Sequence, residues 1–492
     1  MRNFGMSAQM PRSKEYTIPN WLTGKSIVFF FVAMIACFAT FGYPMELRDA
    51  LIAGISVMLF FYGSMSLSKS MERKREKVFV RNIFIAGLII RLIWVLYCYF
   101  VFNPDYWGTT YGDGADVEWY MPFGKAIAEW ITGESRVTFA ALQGEWGGHI
   151  DDVGYPLWLA IIYIVTGGES EVFVPFMIKC IISAYCAIAV YNVAKRHFGE
   201  GAARMAALFV AFNPNMIYWC GNMFKETEMV FLACICIDQT DKAVTLPKGL
   251  TIKSLLPGVL AGFSLFFFRA ALGAVVFAAM FAHIVMASGR IMSMGKKILA
   301  GILVTVTLLI GVGDSLRQQT QYMLDSVQAD KQKINMEWRA ERKDGGNAFA
   351  KYAGAAVFAP LIFTIPFPTF NESLESQVLQ RQLSGGSYIK NIMSFFVIIV
   401  FLMLLISGEW RRHVFILAYT VGYHLVLVMS NFAQSGRFHM PVIPMLMLFA
   451  AYGIQIAKTN TRLKRWFPFV LVLEVFICLA WNWFKLKGRG MI

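Results

Sequence analysis

Long apolar runs recur from Ser26 to Phe484, and several approach the roughly 20 residues that an α-helix needs to cross a hydrocarbon core of about 30 Å. Lipid offers backbone N–H and C=O groups no partners, so runs of this kind must satisfy their hydrogen bonds internally, as helices. The short alternating segments of a β-barrel do not occur. Of 492 residues, 57% are hydrophobic and only 15% charged, more apolar than a soluble domain sustains. The chain is therefore expected to be an all-α polytopic membrane protein.

The formal charge of +14 does not argue for a nucleic-acid partner, because Lys and Arg fall in short clusters between apolar runs. That is the pattern of the positive-inside rule. All eight cysteines lie within or at the edges of apolar runs, which leaves no disulfide framework or zinc knuckle to read. The N-terminal stretch with Arg2, Arg12, Lys14 and Pro19 lacks the short apolar core and small-residue cleavage site of a signal peptide.

The loop 71–81 carries Arg73, Lys74, Arg75, Lys77 and Arg81, which places it in the cytoplasm and the following 103–153 outside. A second basic loop, 194–204, should again be inside, so only one net crossing fits between Asp152 and Lys195. Two apolar pieces compete for it, 154–166 and 172–194. The first has about thirteen residues, too few for a span, and is left on the outer face. The alternative, a true span there, would put Lys195, Arg196 and Arg204 outside. Lys242, Lys248, Lys253, Arg290, Lys296, Lys297, Arg411, Arg412, Lys458, Arg462, Lys464 and Arg465 then fall inside, with Lys485, Lys487 and Arg489 as misfits outside. The count is about 13 transmembrane helices with the N-terminus in and the C-terminus out. The chain divides into N-terminal helices (1–102), a first extracytoplasmic loop with interfacial helices (103–171), central helices (172–313), a second extracytoplasmic segment (314–388) and C-terminal helices (389–492). Pro360, Pro366 and Pro368 argue against a plain spanning helix over 353–368. No internal repeat or nucleotide-binding glycine loop is present.

Ionisable residues at membrane-helix ends are costly to desolvate, so their placement carries information. On this topology four groups reach the outer face from distant points of the sequence. The stretch "YGDGADVEWY" (111–120) gathers Asp113, Asp116 and Glu118 beside Tyr120; one of the two aspartates can cap a helix that starts near Ala115. Lys225 and Glu226 sit where one span ends and the next begins. Arg269 follows "SLFFF" with no acidic neighbour in sequence, and Arg437 and His439 open a later span in "SGRFHMP". Such guanidinium groups need an anion from elsewhere, a protein carboxylate or a ligand phosphate. Carboxylates beside cationic groups suit a reaction in which a carboxylate takes the proton of a hydroxyl or amine while Arg and Lys neutralise a phosphate leaving group. At a membrane surface, a lipid carrying that phosphate is the natural substrate.

The ordered motifs resemble those of the multi-spanning GT-C glycosyltransferases, the class of protein O-mannosyltransferases and bacterial aminoarabinose transferases. The first-loop acid motif is similar to Asp113–Tyr120, the "GYP-L" start to Gly154, Tyr155, Pro156 and Leu157, and the basic "A-K/R-x-F-G" turn to 194–199. Asn213 and Pro214 with Glu226 a dozen residues on, Gly262 through Arg269, and "G-R-[FY]-x-x-P" at 436–441 complete the series. The resemblance covers about 103–275 and 430–457. It implies a GT-C-like bundle, a polyprenyl-phosphate sugar donor, inversion at the anomeric carbon, and catalysis by a first-loop Asp.

The expected activity is thus transfer of a sugar from a polyprenyl-phosphate donor to a glycan, lipid or protein acceptor, on the extracytoplasmic face of a bacterial inner (cytoplasmic) membrane. Asp113, Asp116 and Glu226 are the catalytic candidates, with Asp113 or Asp116 as base; Glu118, Tyr120, Lys225, Arg269, Arg437 and His439 are the substrate-binding candidates. No cofactor is called for: acids could bind a divalent metal, but no dense oxygen-ligand spacing compels one. Two alternatives remain open. An O-antigen or polysaccharide polymerase or ligase would make Arg437 and His439 central and Asp113 dispensable. A transporter or flippase would place its charges near the bilayer midplane in broken helices, often within inverted repeats.

Overall fold

The computed structural model describes residues 16–42, 45–108, 111–112, 115–134, 138, 141–142, 152–168, 172–245, 251–287, 359–370, 381–429 and 433–488. Among them there are helices and no strands. In chain order these are α1 (Asn20–Phe41), α2 (Leu47–Ser70), α3 (Glu76–Trp107), α4 (Ala115–Thr132), α5 (Gly154–Thr166), α6 (Phe173–Phe198), α7 (Glu200–Ala211), α8 (Glu226–Thr245), α9 (Ile252–Phe268) and α10 (Ala270–Ala287). After 359–370 follow α11 (Ser384–Ser407), α12 (Val414–Met429), α13 (Ile443–Thr459) and α14 (Thr461–Gly488).

Eight helices among the described residues are long and apolar enough to cross a membrane, so the expected thirteen spans are not confirmed. The shortfall has physical causes. Helix α7 has only 12 residues, and α8 carries Glu226, Glu228, Asp238, Asp241 and Lys242. Helices α9 and α10 are short apolar pieces that meet at Arg269, where the backbone is extended. Residues 288–313, the last part of the expected central helices, and 314–358 and 371–380, most of the expected second outer segment, lie outside the described residues.

The core is built on α6, α7, α8 and α13. Helix α7 is buried throughout from Ala202 to Ala211, with alanines at 202, 203, 206, 207 and 211 that let it sit against both α6 and α13. Small side chains at the contact are how helices approach closely where no hydrophobic drive separates protein from lipid. Helices α1 and α14 pack together, as do α3 with α6, α10 with α12, and α11 with α13.

The basic loops meet at one end of this bundle. Arg204 donates to the carbonyls of Met71, Glu72 and Lys74 at 3.1, 3.3 and 2.8 Å. Lys195 pairs with Glu76 at 2.5 Å, and His197 and His413 approach to 2.8 Å between their Nδ1 atoms. Glu226 starts α8 at the other end, about 22 Å away along a helix rising ~1.5 Å per residue to Asp241.

Helix α5 leaves the chain on that second end. Residue Asp152 before it touches Lys225, and the start of α6 after it packs Phe173 on Tyr99 and Phe176 on Tyr111, with ring centroids 5.8 and 5.9 Å apart. Gly167, at φ 65°, closes α5 after 13 residues. Gly154 opens it with no room for a Cβ, which would fall 2.8 Å from the Phe267 carbonyl oxygen. Within the proline-rich stretch, residues 359–370 form a turn of 3-10 helix (Ala359–Leu361) and then continue as turns and irregular backbone with no spanning helix, in keeping with the prolines. Side chains of α11 hold this strap: Lys390 to the Ile365 carbonyl, Asn391 to that of Thr364, and Ser394 to that of Phe363.

Candidate active site

Four segments converge at the end opposite the basic loops. Arg437, in the loop before α13, bridges two carboxylates: its Nη2 lies 2.6 Å from Asp116 Oδ2 and its Nε donates to Glu226 Oε1 at 2.5 Å. Its guanidinium also stacks 4.2 Å above the Phe224 ring. Burial works against this charge, but Glu226 and then Asp116 outweigh it and hold the guanidinium protonated more firmly than in water. Arg269 comes within 3.7 Å of the same Glu226 oxygen, donates to the Tyr423 hydroxyl at 2.9 Å and lies 4.4 Å over Phe438.

Helix position explains why these groups meet. Asp116 is in the first turn of α4 and Glu226 begins α8, where unpaired N–H groups favour negative charge. Arg269 projects from the break between α9 and α10. The two acids differ in access: the Glu226 side chain is 0% exposed, whereas that of Asp116 is 46% exposed. Glu226 Oε2 accepts no hydrogen bond among the described residues.

Lys225 pairs with Asp152, to whose Oδ1 the Tyr120 hydroxyl also donates at 3.3 Å. Burial, followed by the nearby Arg269 and Arg437 guanidiniums, pushes the Lys225 ammonium down to about 7. Burial and then Asp116 push the Tyr120 phenol upward, so it remains a hydrogen-bond donor. The cluster therefore sets Asp116, Asp152 and Glu226 against Lys225, Arg269 and Arg437.

The sequence candidates divide accordingly. Asp116, Tyr120, Lys225, Glu226, Arg269 and Arg437 come together. Glu118 is exposed and makes no ion pair among the described residues. Asp113 lies outside the described residues; its neighbour Tyr111 accepts from the Met223 N–H at 3.0 Å, which ties this edge of the first loop to the loop carrying Lys225. His439 takes no part in the ionic cluster. It is fully buried, with Nδ1 2.9 Å from Lys390 Nζ and Nε2 2.8 Å from the Ala433 carbonyl.

Asp152, Lys179 and Tyr423 belong to the site or its support and were not among the candidates. Asp152 offers a signal, an acid two residues ahead of "GYP" on the same loop as Asp116. Lys179 offers another, a lone lysine inside an apolar run. Tyr423 offers none. Among the described residues no cluster of three or more His, Cys, Asp or Glu could hold a metal ion.

Carboxylates and cations facing one another at the helix ends of an all-helical bundle fit a membrane-embedded group transferase. Residues 145–316 match the model of the Alg9-like mannosyltransferase family, a GT-C-type family of membrane glycosyltransferases. The chain is thus a multi-pass membrane protein whose central part is similar to that family, in agreement with the motif resemblance. The matched stretch contains Asp152, Lys179, Lys225, Glu226 and Arg269; Asp116 and Arg437 flank it in sequence and meet it in space. No curated protein matches the chain.

Proposed function

We propose that this protein transfers a sugar from a polyprenyl-phosphate carrier to an acceptor on the extracytoplasmic face of a bacterial cytoplasmic membrane, with inversion at the anomeric carbon. The observation that carries the proposal is the grip of Arg437 on both Asp116 and Glu226, which joins the first loop, the start of α8 and the entry to α13 into one charged surface. The matched family is named for mannosyl transfer, so mannose is the first sugar to test.

In this scheme Asp116 or Asp113 accepts the proton of the acceptor hydroxyl or amine as its lone pair attacks the anomeric carbon. The bond from that carbon to the phosphate oxygen breaks with its electron pair on the phosphate, releasing the lipid monophosphate. Lys225, Arg269 and Arg437 neutralise the charge that develops there. Glu226, buried and bound to both guanidiniums, orients them. Asp116 has the exposure a base needs to meet an acceptor.

The test is transfer from radiolabelled undecaprenyl-phosphate mannose, and from other undecaprenyl-phosphate sugars, by purified wild type, Asp113→Asn, Asp116→Asn and Arg437→Ala. One of the two aspartate variants should lose turnover by about 10²–10⁴-fold, the usual worth of a positioned base. Loss in Arg437→Ala alone, with both aspartate variants active, would favour a polymerase or ligase that needs no carboxylate.

A further inference from the structure

Beneath the ionic cluster lies a buried cation that the proposed chemistry does not use. Lys179, in the second turn of α6, is 0% exposed. Its ammonium donates to the carbonyls of Asn222, at 3.0 Å, and of Phe224, faces Glu228 Oε2 at 3.4 Å, and lies 4.8 Å over the Tyr155 ring. A lysine needed only to neutralise Glu228 would have no reason to spend two donors on backbone. Here the two carbonyls flank Met223, whose own N–H is held by Tyr111 from the other side. The 222–223 peptide unit is therefore held at both ends, its carbonyl by Lys179 of α6 and its N–H by the first loop, and the 224–225 unit is held at its carbonyl by the same lysine.

The next three residues along the chain belong to the site itself. Phe224 supports the Arg437 guanidinium, Lys225 reaches Asp152, and Glu226 receives both arginines. Residues 222–224 lie between the 3-10 turn Trp219–Gly221 and α8, and besides Lys179 and Tyr111 they are held by Asn222 Nδ2, which donates to the Tyr218 carbonyl at 3.1 Å. A misplacement of about 1 Å in such a support can cost ~10²-fold in rate.

We propose that Lys179 is a positioning residue of the transfer site: its buried ammonium ties the loop 222–224 to α6 at the height from which Phe224, Lys225 and Glu226 engage Arg437, Asp152 and Arg269. This rests on the reading of the site as one that binds a lipid phosphate. Two other roles predict different patterns. As the neutraliser of Glu228, Lys179 would be dispensable once Glu228 is neutral too. As a source of long-range field, its removal and the removal of the Glu228 charge would act in opposite directions on anion binding.

The experiment uses the full-length protein in detergent micelles, as wild type, Lys179→Met, Glu228→Gln and the double variant, with affinity for undecaprenyl phosphate measured in each. Maleimide labelling of Cys220 is followed in parallel by mass spectrometry; this cysteine is buried in the 3-10 turn Trp219–Gly221 that leads into the loop, its Sγ 3.3 Å from the Met216 carbonyl. The lysine makes charge-assisted bonds, so Lys179→Met should weaken binding by about tenfold or more and speed Cys220 labelling comparably. The double variant should match it, and Glu228→Gln should stay within about threefold of wild type in both readouts. Because the double variant leaves no unpaired buried charge, it keeps the test open if Lys179→Met alone does not fold. Wild-type affinity and labelling in the double variant would overturn the proposal, as would tightening in Glu228→Gln equal to the weakening in Lys179→Met. A wild type that does not bind undecaprenyl phosphate would refute the functional reading instead, and Cys220 labelling unchanged in Lys179→Met would still refute the tie.

Discussion

Replacing Glu226 by Gln separates anion binding from catalysis in this site. The glutamate is fully buried and shares one oxygen between Arg437 at 2.5 Å and Arg269 at 3.7 Å. Removing its charge leaves Lys225, Arg269 and Arg437 facing only Asp116 and Asp152, so the surface gains one net positive charge. A phosphate seated on the outer sides of the guanidiniums would lie about 7 Å from the former carboxylate; at an effective dielectric near 20 the relieved repulsion is about 2 kcal/mol per unit charge, less after screening. Affinity for undecaprenyl phosphate should therefore rise by about 5- to 30-fold, the equivalent of ~1–2 kcal/mol. Turnover should move the other way, falling about 10- to 100-fold, because the arginines lose the acceptor that orients them. Microscale thermophoresis in micelles gives the first quantity and a sugar-transfer assay the second. An affinity that is unchanged or weaker in Glu226→Gln would refute the assignment of these cations to the phosphate.

Three further outcomes are expected. Burial and the neighbouring guanidiniums push the Lys225 ammonium down to about 7, so its charge is favoured below that pH and lost above it; undecaprenyl phosphate binding should weaken as pH rises through about 7, and Lys225→Met should flatten that limb. Gly154→Ala forces a Cβ to within 2.8 Å of the Phe267 carbonyl oxygen, an overpacking worth about 1–3 kcal/mol, and should lower the melting temperature measured by tryptophan fluorescence. Single cysteines at Lys195 and Glu118, in a chain stripped of native cysteines, should label from opposite sides of a sealed vesicle; labelling of both from one side would contradict the topology.

Much of the site is legible in the sequence because a buried charge at the end of a membrane helix is costly to leave unpaired. Arg269 and Arg437 each lack an acidic neighbour in sequence, and both find Glu226 in space. His439 shows the limit of that logic: two residues from Arg437, it is carried round the turn before α13 and meets Lys390 instead. Lys179 was hidden by its setting, since an apolar run around one lysine reads as a span with a snorkelling cation, and only the fold brings the 222–224 carbonyls to it. The span count is not confirmed where hydropathy is least informative. Helices α7 to α10 are short, acid-bearing or broken at Arg269; α7 and most of α8 are buried in the bundle, while α9 and α10 keep apolar side chains such as Leu256, Leu260 and Phe281 on the outside. Helix α5, by contrast, was legible as a short apolar helix from its length, which the structure gives as 13 residues.

The most direct measurement is a cryo-electron microscopy map of the protein with undecaprenyl phosphate bound. The account predicts phosphate density within about 4 Å of Lys225, Arg269 or Arg437, the reach of an ion pair, with the Asp116 carboxylate facing open volume beside it. Phosphate density at the opposite end, among Arg196, His197 and Asp241, or on the lipid face away from Arg437, would contradict it.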